Sequence, residues 1–365
     1  MVNYNQLSSK ELQRYKRHLS LKSVGYAGQM KLKNAKVLCI GAGGIGNPLL
    51  VYLAAAGIGT LGIIDDDLVD ISNLQRQILF NVDDLKKNKA IVAKKKLKKL
   101  NQGINVKIYT ERLTIKNSDE IFSQYDIIAD GSDNFETRYL VNYACLALQK
   151  INVSASVSEF CGHCAIFIPP KGPCYNCLFP ANQGEERLLN CSEIGILGVV
   201  SGILGIIQAT EIIKLILNIG SSLVGKLFQI DVLTMDCEIY SVSKDPACQV
   251  CSSKRLPTFS YMNNSFCLNK FVITAEELKE HMPTVLLIDV REPEEHRCYN
   301  LGGINIPLSQ LPGTLKVNSK YELIVTYCSS GKRSLQAVTI LEKLGFSNVK
   351  SLVGGVQEWF KTNYK

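Results

Sequence analysis

The chain has 365 residues, of which 46% are hydrophobic, with a net charge of +8 and 13 cysteines. It is long for one core and comfortable for two, and its apolar content excludes a disordered or fibrous chain. The N-terminus, Met1-Val2-Asn3-Tyr4-Asn5, is polar and lacks the apolar stretch of a secretory signal. The cysteines are therefore expected to serve metal and redox chemistry in a reducing compartment, the cytoplasm, rather than disulfides.

Residues 36–65 read as strand, glycine turn, helix, strand: Val37 to Ile40, Gly41-Ala42-Gly43-Gly44-Ile45-Gly46, Leu49 to Ala56, then Gly62 to Asp65. Such a turn lets a phosphate-bearing ligand approach bare amides at a helix N-terminus, which makes Gly41, Gly43, Gly44 and Gly46 candidate contacts. Asp65 suits ribose hydroxyls, as in a dinucleotide dehydrogenase. The chain then adds Asp67, Asn73, Arg76 and Gln77, and Lys89 opens the next helical pattern. Hydride transfer has no use for that much cationic and amide chemistry. A triphosphate does, because Arg76 and Lys89 can hold phosphate oxygens and offset the charge that develops as pyrophosphate leaves. Lysines at 86, 87, 89, 94, 95, 96, 98 and 99 read as a solvated basic face, with steering of an acidic protein as the secondary reading. With no aromatic interleaving, direct nucleic-acid contact is not expected.

Further strands are predicted at Val106 to Tyr109, Ile127 to Asp130 and Ile151 to Ser154, separated by helical patterns at 88–100 and 136–149. This alternation gives an α/β fold, a parallel sheet with helices on both faces. Asp130-Gly131-Ser132-Asp133-Asn134 closes a strand at the carboxyl edge, where ligands of open α/β sheets gather. Asp133 is a candidate Mg²⁺ ligand there, and Asp133-Asn134 also reads as a helix N-cap pair.

Cys174-x-x-Cys177 and Cys248-x-x-Cys251 are two thiolate pairs, each spaced to chelate one ion from a single turn. Four thiolates without histidine describe a closed structural zinc site. Cys161-x-x-Cys164 has no partner pair and reads as incidental. Cys191 lies in a polar loop before an apolar stretch, Ile194 to Ala209, that runs on to Leu217 with Gln208, Glu211 and Lys214 interrupting it. That stretch is expected to be a core or subunit-interface helix rather than a membrane span. Antiparallel pieces, Cys164 to Ile168 and Leu227 to Val232, flank it. The segment from Ser252 to Asn269 is the best linker, dividing the chain into 1–252, a linker at 253–269 and 270–365.

In the second part, the apolar run Leu323 to Tyr327 leads into Cys328-Ser329-Ser330-Gly331-Lys332-Arg333-Ser334 and then the helical pattern Leu335 to Leu344. At the mouth of a helix, orphan amides and the dipole favour a thiolate, Arg333 adds positive charge, and Gly331 lets the backbone curl its amides toward the sulfur.

This segment resembles a rhodanese domain through Asp289-Val290-Arg291-Glu292-Pro293-Glu294-Glu295, Gly302 to Leu308, the cysteine loop and Gly354-Gly355-Val356-Gln357-Glu358-Trp359. The family usually has Gly-His before its Ile-x-Gly-Ala stretch, and this chain has Asn300-Leu301 instead. Related phosphatases carry a loop one residue longer, so the six residues from Cys328 to Arg333 imply sulfur transfer. Residues 8–252, beginning with Arg14-Tyr15-Lys16-Arg17, resemble the MoeB/ThiF branch of the ubiquitin-activating superfamily. The implied architecture is a Rossmann-like doubly wound domain followed by a small α/β rhodanese domain. The implied activity is ATP-dependent adenylylation of the C-terminal Gly-Gly carboxylate of a ubiquitin-like sulfur carrier. By position, Asp65 binds ribose, Asn73, Arg76 and Lys89 the phosphates, Asp133 the metal and acyl-adenylate, and the pairs at 174, 177, 248 and 251 zinc. Arg17 reaches the triphosphate of a neighbouring subunit, which implies a homodimer. Cys191 matches by position a cysteine that, in relatives with a fused rhodanese domain, is proposed for attack on the acyl-adenylate or for an acyl disulfide during sulfur transfer.

The expected function is adenylylation followed by sulfur transfer from a Cys328 persulfide, giving a thiocarboxylate and AMP, with an upstream persulfide donor such as a cysteine desulfurase. Fusion raises the local concentration of sulfur at the adenylate. The alternatives are an activating enzyme for conjugation through a thioester at Cys191 and, further behind, a nicotinamide-dependent dehydrogenase. The pathway served, molybdopterin, thiamine or thiolated tRNA, is not readable from these residues.

Overall fold

The computed structural model describes residues 6–180, 195–252, 271–314, 323–346 and 348–363. They fall into two compact units, one up to residue 252 and one from 271 on.

The first unit is built on an eight-stranded sheet of β1 (Lys36–Ile40), β2 (Thr60–Ile64), β3 (Asn105–Tyr109), β4 (Ile127–Asp130), β5 (Ile151–Ser158), β6 (Cys161–Phe167), β7 (Lys226–Asp231) and β8 (Asp236–Ser241). The spatial order is β3-β2-β1-β4-β5-β6-β7-β8. β1 to β5 run parallel, and β6, β7 and β8 each pair antiparallel with the strand before. Every residue of β2 and β4 is buried, which explains their unbroken apolar character: both faces of a parallel sheet are covered by helices. The chain order reverses between β1 and β4, so their carboxyl ends open a crevice.

Helix Gly46–Ala56 starts at the glycine turn and stops at Gly57, whose φ of 86° ends it in the left-handed region. The helices expected at 88–100 and 136–149 are Lys89–Leu100, capped by Asn88, and Phe135–Ala147, capped by Asn134. Helix Gly198–Leu217 is, among the described residues, the one long and apolar enough to cross a membrane. Its buried polar residues place one face of it in the core, while Val199 and Ile206 stay exposed. Gln208 is fully buried and donates to the carbonyls of Asp130 and Val153, while Glu211, also buried, accepts from the Leu223 amide and pairs with Lys214. Strand β8 lies outside the elements read from the sequence, because all six of its residues are exposed and only ladder pairing with β7 defines it.

The second unit has a parallel five-stranded sheet of β9 (Val272–Ile273), β10 (Val285–Asp289), β11 (Ile304–Asn305), β12 (Leu323–Tyr327) and β13 (Val349–Leu352). Its order, β11-β10-β12-β13-β9, puts β12 in the centre. Helix Lys332–Lys343 follows it at once, with Ala337, Val338 and Leu341 buried against Ile288, Ile324 and Val349.

Candidate functional site

The turn after β1 meets the turn after β4 at the strand-order reversal. Gly41 takes φ +84° and its amide donates to Ile64 O, while a Cβ on Gly46 would lie 2.1 Å from Gly41 O, so the loop closes only with glycine at both ends. A Cβ on Gly43 would meet nothing within 4 Å, and one on Gly44 would meet Ser201 Oγ at 2.8 Å and Arg76 Cδ at 3.4 Å. The helix behind has no side-chain cap; its Asn47 amide donates to Gly43 O and Pro48 has none, so an anion would meet the amides of the glycine loop that precedes it. Asn47, missed by sequence reading, is fully buried and ties the loop down: its Nδ2 donates to Ala42 O at 2.7 Å and its Oδ1 accepts from the Leu79 amide.

Asp65 accepts from the amides of Ala42 (2.7 Å) and Asp67 (2.9 Å). Burial pushes its carboxyl above the ordinary range, against the pull of Lys89 and those two amides. Lys89 is buried and its Nζ donates to Asp67 Oδ2 at 2.8 Å. Arg76 is half-buried, its guanidinium bonded to Ser72 O, with Asn73 three residues before it. Gln77 is buried, and its Oε1 makes no hydrogen bond within the protein. Gly131 abuts Ile45, and Asp133, two residues on, is exposed. The glycine loop, Asp65, Asp67, Arg76, Lys89 and Asp133 thus converge on one edge.

Arg17 does not join them. It is exposed on the short helix Lys16–Leu19, whose His18 bonds Gln29, which donates to Ala56 O; Tyr15 meets Asn101, which donates to Ala54 O. These contacts pin the segment to the far end of the 11-residue helix Gly46–Ala56, about 16 Å from the loop.

Behind the crevice lies a polar cluster that sequence reading also missed, since its members come from β4, β5, β6 and a helix. Asp130 is buried, its Oδ1 accepting from the Ser132 amide and hydroxyl, and burial pushes its carboxyl up. Arg138 donates twice to Ser132 O. His163 bonds Ser156 Oγ at 2.6 Å and stacks on Phe179; desolvation, with Arg138 nearby, holds it down at about 4.

The four cysteines 174, 177, 248 and 251 form a cluster whose sulfurs all lie within 4.8 Å of one another. Sγ separations are 3.9 Å for 174 and 177, 3.8 Å for 174 and 248, and 3.4 Å for 177 and 251. Tetrahedral thiolates bound at about 2.3 Å sit about 3.8 Å apart, so the set fits zinc. Cys161 and Cys164 sit on β6 away from this set. Cys191 lies outside the described residues, as does the linker at 253–269.

In the second unit, Cys328 directly follows β12 and is 1% exposed. Gly331, at φ +90°, caps helix Lys332–Lys343. Ser334 Oγ lies 3.6 Å from Cys328 Sγ and 2.8 Å from Ser351 Oγ. Arg333 differs from expectation. Rather than offering free charge, it makes a two-pronged pair with Glu295, both bonds 2.7 Å, and Ser329 Oγ donates to the same carboxylate. Glu295 is held down at about 2, chiefly by these bonds to Arg333. Its pairing went unread because 38 residues separate the partners. Asp289, fully buried, is clasped by Arg291 and by His296 Nδ1 at 2.8 Å.

A family model described as the ThiF family matches residues 15–250, and one described as the rhodanese-like domain matches residues 274–362. A probable adenylyltransferase/sulfurtransferase MoeZ of Mycobacterium tuberculosis is 38% identical over 376 residues, covering 97% of this chain and 94% of the relative. A sulfur carrier protein adenylyltransferase of Thermus thermophilus is 42% identical over 252 residues, 68% of this chain and 93% of its own length. Crystalline E. coli MccB with ATP superposes with a TM-score of 0.58 at 28% identity, covering 68% of this chain and 76% of that one. With matches of this extent along nearly its whole length, the chain belongs to the ThiF family and carries a rhodanese-like domain after it.

Proposed function

We propose that the first unit uses MgATP to adenylate the C-terminal glycine of a ubiquitin-like sulfur carrier ending in Gly-Gly, and that Cys328 then delivers sulfur to it. The chain is an adenylyltransferase and a sulfurtransferase. The observation that carries the finer reading is the pairing, in one chain, of an amide-lined cradle at a sheet's switch point with a thiol at a helix mouth.

In the first step the carrier carboxylate attacks the α-phosphorus, forming a mixed anhydride with AMP as pyrophosphate leaves. The amides of the glycine loop, Asn73, Gln77, Arg76 and Lys89 hold the phosphates, and Asp65 the ribose. Asp133 would hold Mg²⁺, which neutralises phosphate charge. In the second step the terminal sulfur of a Cys328 persulfide attacks the acyl carbon and expels AMP, giving an acyl disulfide. A second thiol, which we assign to Cys191, then attacks Cys328 Sγ and releases the thiocarboxylate, leaving a disulfide between the two cysteines. Reduction of that disulfide by an external dithiol, which is itself oxidised to a disulfide, and reloading of Cys328 by a persulfide donor such as a cysteine desulfurase, complete the cycle. The four-cysteine cluster would hold structural zinc. The remoteness of Arg17 from its own cradle supports a homodimer in which it serves the partner's phosphates. We place the protein in the cytoplasm.

The test separates the two steps. Cys328→Ala should keep ATP–pyrophosphate exchange dependent on a Gly-Gly carrier, yet form no thiocarboxylate, by intact mass, with thiosulfate as donor. Arg333→Ala should weaken the second step without erasing it, because the helix amides still face the sulfur. Full thiocarboxylate formation by Cys328→Ala would refute the assignment.

A further inference from the structure

The carboxylate of Glu295 already occupies the groups of the cysteine loop that an anionic sulfur donor would seek. Both its oxygens accept from Arg333 at 2.7 Å, and Ser329 Oγ donates to Oε1 at 3.1 Å. The two side chains are 36% and 37% exposed, so the pair stands at the surface of the loop, within reach of a small donor. It is also built rather than incidental. Glu295 is the third residue of helix Pro293–Cys298 and its Oε2 accepts from the Glu292 amide at 3.2 Å, while the next residue, His296, anchors that helix to buried Asp289. A two-pronged guanidinium–carboxylate pair held from one side in this way keeps its geometry.

We propose that Glu295 sets donor selectivity: by neutralising Arg333 it makes the Cys328 loop discriminate against dianionic small-molecule donors such as thiosulfate, in favour of donors that bring less negative charge. This rests on the reading of Cys328 as the sulfur-accepting thiol. The chemistry at sulfur is common to all donors. The Cys328 thiolate attacks the donor's outer sulfur, the donor's sulfur–sulfur bond breaks, and the leaving group takes the electron pair, leaving a persulfide. From thiosulfate that group is sulfite, a dianion; from an aromatic thiosulfonate it is a sulfinate, a monoanion. Glu295 repels the first more than the second and denies both the guanidinium, a device that disfavours the wrong ligand rather than attracting the right one.

Full-length wild type, Glu295→Gln and Glu295→Asp would be compared with thiosulfate and with benzenethiosulfonate, cyanide accepting the sulfur. Gln suits the third position of the helix, where it preserves the reciprocal cap, and leaves Arg333 in the sequence. Glu295→Gln should lower the thiosulfate KM about tenfold, as expected for one released charge-assisted contact, and the thiosulfonate KM by clearly less, with kcat unchanged. Glu295→Asp, which keeps the charge, should behave as wild type. Glu295→Ala should shift the donors in the same order by removing charge with a different shape. An unchanged or higher thiosulfate KM in the neutral variants, or equal shifts for both donors, would overturn the proposal. Failure of the wild-type protein to take sulfur onto Cys328 from either donor, read by intact mass, would overturn the sulfurtransferase reading beneath it.

Discussion

Replacing Gly355 by alanine tests whether the cysteine loop is held from behind. Gly355 has φ +58°, and a Cβ there would lie 2.2 Å from Cys328 O and 2.8 Å from Gly331 N. A carbon normally stands about 3.3 Å from a carbonyl oxygen, so roughly 1 Å must open between the turn after β13 and the loop. The left-handed backbone costs about 1–2 kcal/mol for alanine, and the crowding about 1–3 kcal/mol. Losing the 2.9 Å bond from the Val356 amide to Cys328 O adds about 1 kcal/mol. A total of about 3–6 kcal/mol is a large share of a small domain's stability. If the unit survives, a nucleophile displaced by about 1 Å should lose about 10²-fold in rate. The assay is cyanide-dependent sulfur transfer beside thermal melting, with ATP–pyrophosphate exchange as the internal control. Gly345→Ala isolates the backbone term, since Gly345 has φ +91° and nothing within 4 Å of its would-be Cβ. Were Gly355→Ala to transfer sulfur at the wild-type rate and melt like Gly345→Ala, the close-approach argument would fail.

Three other outcomes follow from the first unit. Cys174→Ser should release zinc and lower the melting temperature, because structural metal binding is coupled to folding; elemental analysis of wild type purified without chelator should find the ion. Asp133→Ala should lose at least about 10²-fold in ATP–pyrophosphate exchange with the melting curve unchanged, as for a residue acting on charge in the transition state. His163 is held near 4 in the fold against an ordinary 6.5, so the unfolded chain takes up its proton first. Stability should fall as pH drops from 6.5 and the loss should be complete near 4, on the order of 3 kcal/mol, while His163→Gln should show a flatter profile in pH-dependent denaturant unfolding.

What was legible in the sequence was local. The strand, glycine turn and helix of residues 36–56 announce themselves because glycine spacing and apolar periodicity are properties of neighbours, and the same holds for Cys328 between its strand and helix. The cysteine pairs were legible because chelation demands a fixed short spacing, and the fold brings them together across 74 residues. Partnerships without such a spacing stayed hidden. Glu295 stood in a quoted motif with no role, since nothing local says that it meets Arg333. Asn47 and Arg138 look like ordinary helix residues until tertiary packing buries them beside the turns they tie down, and His163 like an ordinary strand residue until it meets Ser156 on β5. β8 was hidden for the opposite reason, as it buries no side chain to leave a pattern.

The four-cysteine cluster also changes the connectivity of the chain. With an ion bound, its two turns close residues 174 to 251 into a ring joined at one knot, and that ring carries both Cys191 and helix Gly198–Leu217. Holding ends 74 residues apart removes about 4 kcal/mol of chain freedom from any state that keeps the metal. A single cleavage inside the ring therefore yields two fragments that still travel together, and they part only when a chelator and a denaturant act at once.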